Sequence, residues 1–157
     1  MARTDTSFTV FSEVIEADEP EEHDWLVKAA KRLWGVPGGD PVEDWPGAVM
    51  ELMSSVEFDD IYGMMPKWKP LKRKRGIIVY ADDGCSMFAV TPLVQLYLRK
   101  YHCDWYWWTE WAEICETPSP SSFRGGAVFV TEQHVAWHFT THWVNSMIER
   151  VNLQHGG

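Results

Sequence analysis

The sequence predicts an α+β fold: a two-layer sandwich whose mixed or antiparallel sheet of about four strands carries its helices on one face. Three observations predict it. Apolar residues recur at helical spacing between Trp25 and Trp34, a β-branched run fills Gly76 to Ala81, and the aromatic run Asp104 to Cys115 is followed by a glycine-opened strand, Arg124 to Thr131. The expected element order is β-α-α-β-α-β-β-α within one domain spanning residues 1–157.

The first strand is Ser7 to Val14, a β-rich run with Phe8 and Val10 on one face. From Pro20, the residues Trp25, Leu26, Ala29, Ala30, Leu33 and Trp34 form a single helical stripe. Acids (Glu21, Glu22, Asp24) open that helix, bases (Lys28, Lys31, Arg32) follow, and Gly35 stops it, in keeping with the helix macrodipole. Residues 36–44 read as a Pro/Gly loop ending in a capping box, Asp40 to Glu43. A second helix follows to about Ser54, with Trp45, Val49, Leu52, Met53 and Val56 inward. Residues 58–75 are too interrupted by proline and glycine for a regular helix and are expected to be a loop or lid. The run GIIVYA, covered on both faces, is a central strand, and ADDGCS turns the chain into a helix opened by Pro92. In the aromatic strand, Trp105, Trp107 and Trp111 alternate with Tyr106, Trp108, Ala112 and Ile114, so both faces are apolar. A last helix is expected from a Thr131 cap to about Val151.

Composition narrows the function classes. The net charge of −9 opposes general attraction to nucleic acid or anionic lipid, and no apolar run reaches secretory or transmembrane length. Cytoplasmic location, no membrane and no nucleic-acid partner are therefore expected. Three cysteines without a C-x-x-C pair read as reduced, buried thiols.

Four constellations carry possible chemistry. His134, His138 and His142 sit at i, i+4, i+8 on the expected last helix, so an adjacent pair could share a zinc ion; the outer two, about 12 Å apart along a helix, could not. The plainer reading is a solvated stripe, and the single H-x-T at His138 lacks the second copy that two-histidine phosphoesterases use. Lys67, Trp68, Lys69, Lys72, Arg73, Lys74 and Arg75 form a basic segment whose tryptophan could stack on a base, against the plainer reading of a loop paired with the acids of residues 13–24. Asp82, Asp83 and Cys85 follow a strand, where a turn explains them better than a nucleophile does. Finally, Trp105, Trp107, Trp108 and Trp111 form a candidate partner-binding surface, since tryptophan anchors interface hot spots and helices on one face would leave the other uncovered.

The stretches VTPLVQLYLRKY (Val90 to Tyr101), EICETP (Glu113 to Pro118) and FRGGAVFVTEQHVAW (Phe123 to Trp137) resemble a family of small, mostly uncharacterised bacterial and phage proteins. In that family a Thr-Cys-x-x-Pro turn precedes a GGGAVFVT strand; here Ile114 precedes Cys115, and Arg124 replaces the first glycine. The resemblance covers about residues 77–137, implies a mobile-element setting and implies no catalytic residue. The expectation is thus an acidic, non-enzymatic interaction protein without cofactor, binding and inhibiting a basic or nucleic-acid-handling host protein, with a homodimer as a further possibility. Its rivals are a zinc-dependent hydrolase on the histidine face and a nucleic-acid binder on the basic segment.

Overall fold

The computed structural model describes residues 7–39, 44–52, 64–82, 84–115 and 124–155. Four helices are described: α1 (Pro20–Trp34), α2 (Trp45–Leu52), α3 (Thr91–Tyr101) and α4 (Thr140–His155). The strands are β1 (Ser7–Glu16), β2 (Lys67–Pro70), β3 (Gly76–Ala81), β4 (Tyr106–Cys115), β5 (Arg124–Thr131) and β6 (Val135–Phe139). They form an open antiparallel sheet in the order β2-β3-β1-β4-β5-β6, so the fold is α+β with six strands rather than about four.

Both additional strands lie at the sheet edges. Residues 67–70, expected within a loop or lid, pair with β3, and Pro70 is tolerated because an edge strand leaves its missing N–H without a required partner. Residues 135–139, expected within the last helix, pair with β5. Their sequence VAWHF alternates half-buried and exposed positions, and the pleat turns Trp137 and Phe139 inward onto Phe88, with ring centroids 4.4 and 6.5 Å away. Thr131 does not cap a helix. Its hydroxyl accepts the His134 N–H at 3.0 Å and closes the β5–β6 turn.

The core lies between one face of the sheet and α1 and α3. From the sheet it takes Phe11, Ile15, Trp68, Ile77, Val79, Trp111, Val128 and Val130; Leu26, Ala30, Leu33 and Trp34 come from α1, and Leu93, Val94, Tyr97 and Leu98 from α3. Trp34 and Trp68 are fully buried, and each indole N–H is satisfied, by the Ala89 carbonyl at 3.1 Å and the Gly35 carbonyl at 2.9 Å. That satisfaction is what allows an amphipathic ring to be buried without an orphaned donor.

Helix α1 matches its expected bounds. Pro20 opens it, Glu21 and Glu22 fill its first turn, Lys31 and Arg32 its last, and Gly35 ends it at φ 90°, a conformation suited to glycine. An Arg32–Glu51 ion pair ties it to α2. The capping box at residues 40–43, Met53, Val56, residues 58–63 and the 116–123 turn lie outside the described residues. Gly76 starts β3 at φ 125°, where an added Cβ would come 2.2 Å from the Ile15 carbonyl oxygen. Glycine is required there by both conformation and space.

Helix α4 departs from the two-layer plan. It meets β5 and β6, yet every residue from Trp143 to Gln154 is exposed. No described helix is long and apolar enough to cross a membrane.

Candidate functional site

The histidine series is dispersed. His134 lies in the β5–β6 turn, His138 points outward from β6, and His142 lies in α4, so the three share no helical face. The i, i+4 metal pair required a helix where the chain forms a strand. The basic segment also divides: Lys67, Trp68 and Lys69 belong to β2, and Lys72, Arg73, Lys74 and Arg75 to the turn before β3. Trp68 is 1% exposed and cannot stack on a base. Arg75 folds back toward the acidic segment, where its Nη1 donates to the Asp18 backbone carbonyl at 2.8 Å and not to a carboxylate. Asp82 pairs with Lys67 at 3.1 Å and Cys85 is buried, which agrees with a structural turn, while Asp83 lies outside the described residues. Cys103 is exposed in the turn after α3, contrary to the expected burial. Its Sγ donates to the Arg99 carbonyl, and the thiol is pushed up by desolvation and then by the Glu132 carboxylate, which disfavours the nucleophilic thiolate.

The four candidate tryptophans do not act together. Trp111 is 7% exposed and stands edge-on to Trp137 and Phe139 in the core, and Trp107 is half-buried with its indole N–H on the Val14 carbonyl at 3.1 Å. Trp105 and Trp108 are 61% and 54% exposed. Strand alternation separates Trp108 from Trp107 and Trp111, because odd positions of β4 face the helices and even positions face out, whereas Trp105, expected on the same face as Trp107 and Trp111, precedes the strand and is exposed for that reason. Trp105 stacks on Tyr106 and Tyr106 on Phe129, each at 5.1 Å, forming with neighbouring Trp108 an exposed aromatic plate on the uncovered face.

Helix α4 supplies a second uncovered apolar surface. Trp143, Val144, Met147, Ile148 and Val151 recur at i, i+1, i+4, i+5 and i+8, and all are exposed, so they form one stripe along the helix. Together with Asn152 they line a shallow hollow of about 260 Å³.

A third feature lies where the sheet divides. Strand β1 pairs with β4 from Ser7 to Val10, then with β3 from Phe11 to Glu16. Past that change of partner, a cavity of about 750 Å³ lies between β1, the start of β4 and the C-terminal end of α3. Glu13, Glu16, Asp18 and Asp104 line it, with Tyr97, Tyr101, His102 and Trp107. On its border stands Glu22, only 5% exposed.

The sequence places Glu22 in the first turn of α1, where its Oε2 accepts the Glu19 N–H at 2.9 Å, half of a capping box. Its Oε1 accepts from the Tyr97 hydroxyl at 2.9 Å and is in direct contact with His102 Nε2. Tyr97 Oη is also 2.8 Å from the Glu16 carbonyl, and His102 Nε2 is 3.8 Å from Asp18 Oδ2. Burial raises the Glu22 carboxyl, but hydrogen bonds from Tyr97, His102 and the Glu19 amide outweigh it and hold the group below its ordinary value. The same geometry pushes Tyr97 far up, first by burial and then through the Glu22 carboxylate. Glu22 therefore acts as a fixed anion, with Tyr97 as a neutral donor.

Asp18, Glu22 and His102 offer three ligand atoms within 4.8 Å of one another. None of these, nor Tyr97, was singled out as a site residue by the sequence. Glu22 had a sufficient role as a helix-opening acid and Tyr97 as part of an apolar stripe; the 80 residues between Glu22 and His102 leave no spacing signal. The chain matches no protein-family model, no curated protein and no solved structure.

Proposed function

We propose that this chain is a protein-binding factor that docks its partner through the apolar stripe of α4, with the Trp105/Tyr106/Trp108/Phe129 plate as a second contact. The observation that carries the reading is the stripe itself: five large apolar side chains, each between 38% and 54% exposed, aligned on one helix. Such a face buries little against its own fold and is the form in which helices enter apolar grooves of partners. Trp143 is its natural anchor, because tryptophan dominates interface hot spots.

The charge of −9 favours a partner with a basic rim around the groove, consistent with inhibition of a basic host protein by a phage or mobile-element accessory factor. That setting rests on the sequence resemblance. The test is affinity capture with the wild-type chain, Ile148→Asp, Trp108→Ala and a Lys72→Ala control, read by quantitative mass spectrometry. A protein retained by wild type and the control, and lost with Ile148→Asp, is the expected result. Equal capture by wild type and Ile148→Asp would overturn the reading, and capture that does not weaken with salt would remove its electrostatic part.

A further inference from the structure

We infer that Asp18, Glu22 and His102 form a binding site for a first-row divalent cation, zinc being the best-suited probe, with the remaining coordination positions open to the cavity beside β1.

The ligand set is mixed, one imidazole nitrogen and two carboxylate oxygens, which suits zinc or manganese better than a magnesium or calcium site built from oxygens alone. A zinc ion about 2.0–2.2 Å from each donor requires donors roughly 3.4 Å apart. His102 Nε2 and Asp18 Oδ2 are 3.8 Å apart, near that separation, whereas the direct Glu22–His102 contact has to open for an ion to enter between them. Both anchoring ligands are pre-set by the fold. Glu22 is oriented from behind by the Glu19 N–H and from the side by Tyr97, the outer support that a metal carboxylate requires, and His102 is held at the end of α3 by its own N–H on the Leu98 carbonyl at 2.8 Å.

Charge gives an independent argument. Two carboxylates face one imidazole, so the group stays net negative even with the imidazole protonated, and Glu13, Glu16 and Asp104 on the same cavity add to the deficit. Asp18 adds a second carboxylate to the Glu22–His102 pair. Its side chain is 77% exposed and serves no hydrogen bond of the fold among the described residues, yet it is aimed at the imidazole. A divalent cation neutralises the group, and three protein ligands beside a roomy cavity leave a position for water or for an anionic group of a second molecule.

The test is isothermal titration calorimetry of the EDTA-treated, desalted full chain with zinc chloride. It is made in a background carrying His134→Ala, His138→Ala and His142→Ala, so that those histidines cannot contribute. The expected result is about one equivalent bound per chain, at least about tenfold weaker in Asp18→Asn and lost in His102→Ala. Asp18 is surface-exposed, so Asp18→Asn keeps the test valid if His102→Ala unfolds; near-UV circular dichroism checks both. Cobalt in place of zinc should give visible absorption bands that disappear with His102→Ala. No binding up to about 1 mM zinc, or the same affinity in wild type and Asp18→Asn, overturns the site. Neither outcome bears on α4, which lies outside this cavity.

Discussion

The helix-covered face of the sheet and the surfaces around α4 use the same residue type for opposite ends. On the covered face, Trp34 and Trp68 are sealed beneath α1 and the β2 edge with both indole donors satisfied, and Trp111 packs edge-on to Trp137. On the uncovered surfaces, Trp105, Trp108 and Trp143 stand more than half exposed. What separates the two groups is whether a second layer exists to cover the ring. A tryptophan is a stability element where a helix lies over it and a contact element where none does.

The largest effect that would break the covered side is Trp68→Ala. It should cost about 3–5 kcal/mol by urea denaturation, through the cavity left behind and an unpaired Gly35 carbonyl. Gly76→Ala should follow at about 2–3 kcal/mol, because its Cβ meets the Ile15 carbonyl and its φ of 125° is strained for alanine. Tyr97→Phe removes a donor from the buried Glu22 carboxylate and should cost about 1–3 kcal/mol at neutral pH, with a shallower loss of stability on acidification because the folded Glu22 carboxyl moves back toward its unfolded value.

The sign of that acid effect follows from Glu22, whose folded pKa lies below its unfolded value. Its contribution is fully present above the unfolded value near 4.5 and is lost as pH falls through the folded one. Thermal melts in EDTA should therefore fall less steeply with acid in Glu22→Gln than in wild type. The smallest stability effects belong to the uncovered side: Trp143→Ala and Ile148→Asp should stay within about 0.5 kcal/mol while removing partner binding. A loss of several kcal/mol at Trp143 would erase the distinction between the two sides.

Much of the covered side was legible in the sequence. The stripe from Trp25 to Trp34 and its stop at Gly35 gave α1, the β-branched run gave β3, and RGGAVFVT gave β5, because each segment's periodicity or composition agrees with its tertiary setting. The edge strands were not. KWKP is short and mostly polar, and its strand exists because β3 offers a free ladder to Trp68. In VAWHFTTHWVNSMI the apolar residues satisfy a helical period throughout, so the change from strand to helix at Thr140 is decided by pairing with β5 and by Trp137 and Phe139 docking on Phe88. The histidine series was a consequence of extending that helix toward the N-terminus to a Thr131 cap, whereas it starts at Thr140.

The sequence by itself determined the α+β class, the acidic field, the central helices and the alternation that turns Trp108 outward and Trp111 inward, because these depend on composition and on periods within a dozen residues. Only the tertiary structure decided which tryptophans are covered, that α4 carries an uncovered stripe, and that Asp18 and Glu22 meet His102. Each depends on which distant segments meet or fail to meet: the Glu22–His102 contact joins residues 80 apart, and it forms where β1 changes partners from β4 to β3 and the ends of α1 and α3 come together.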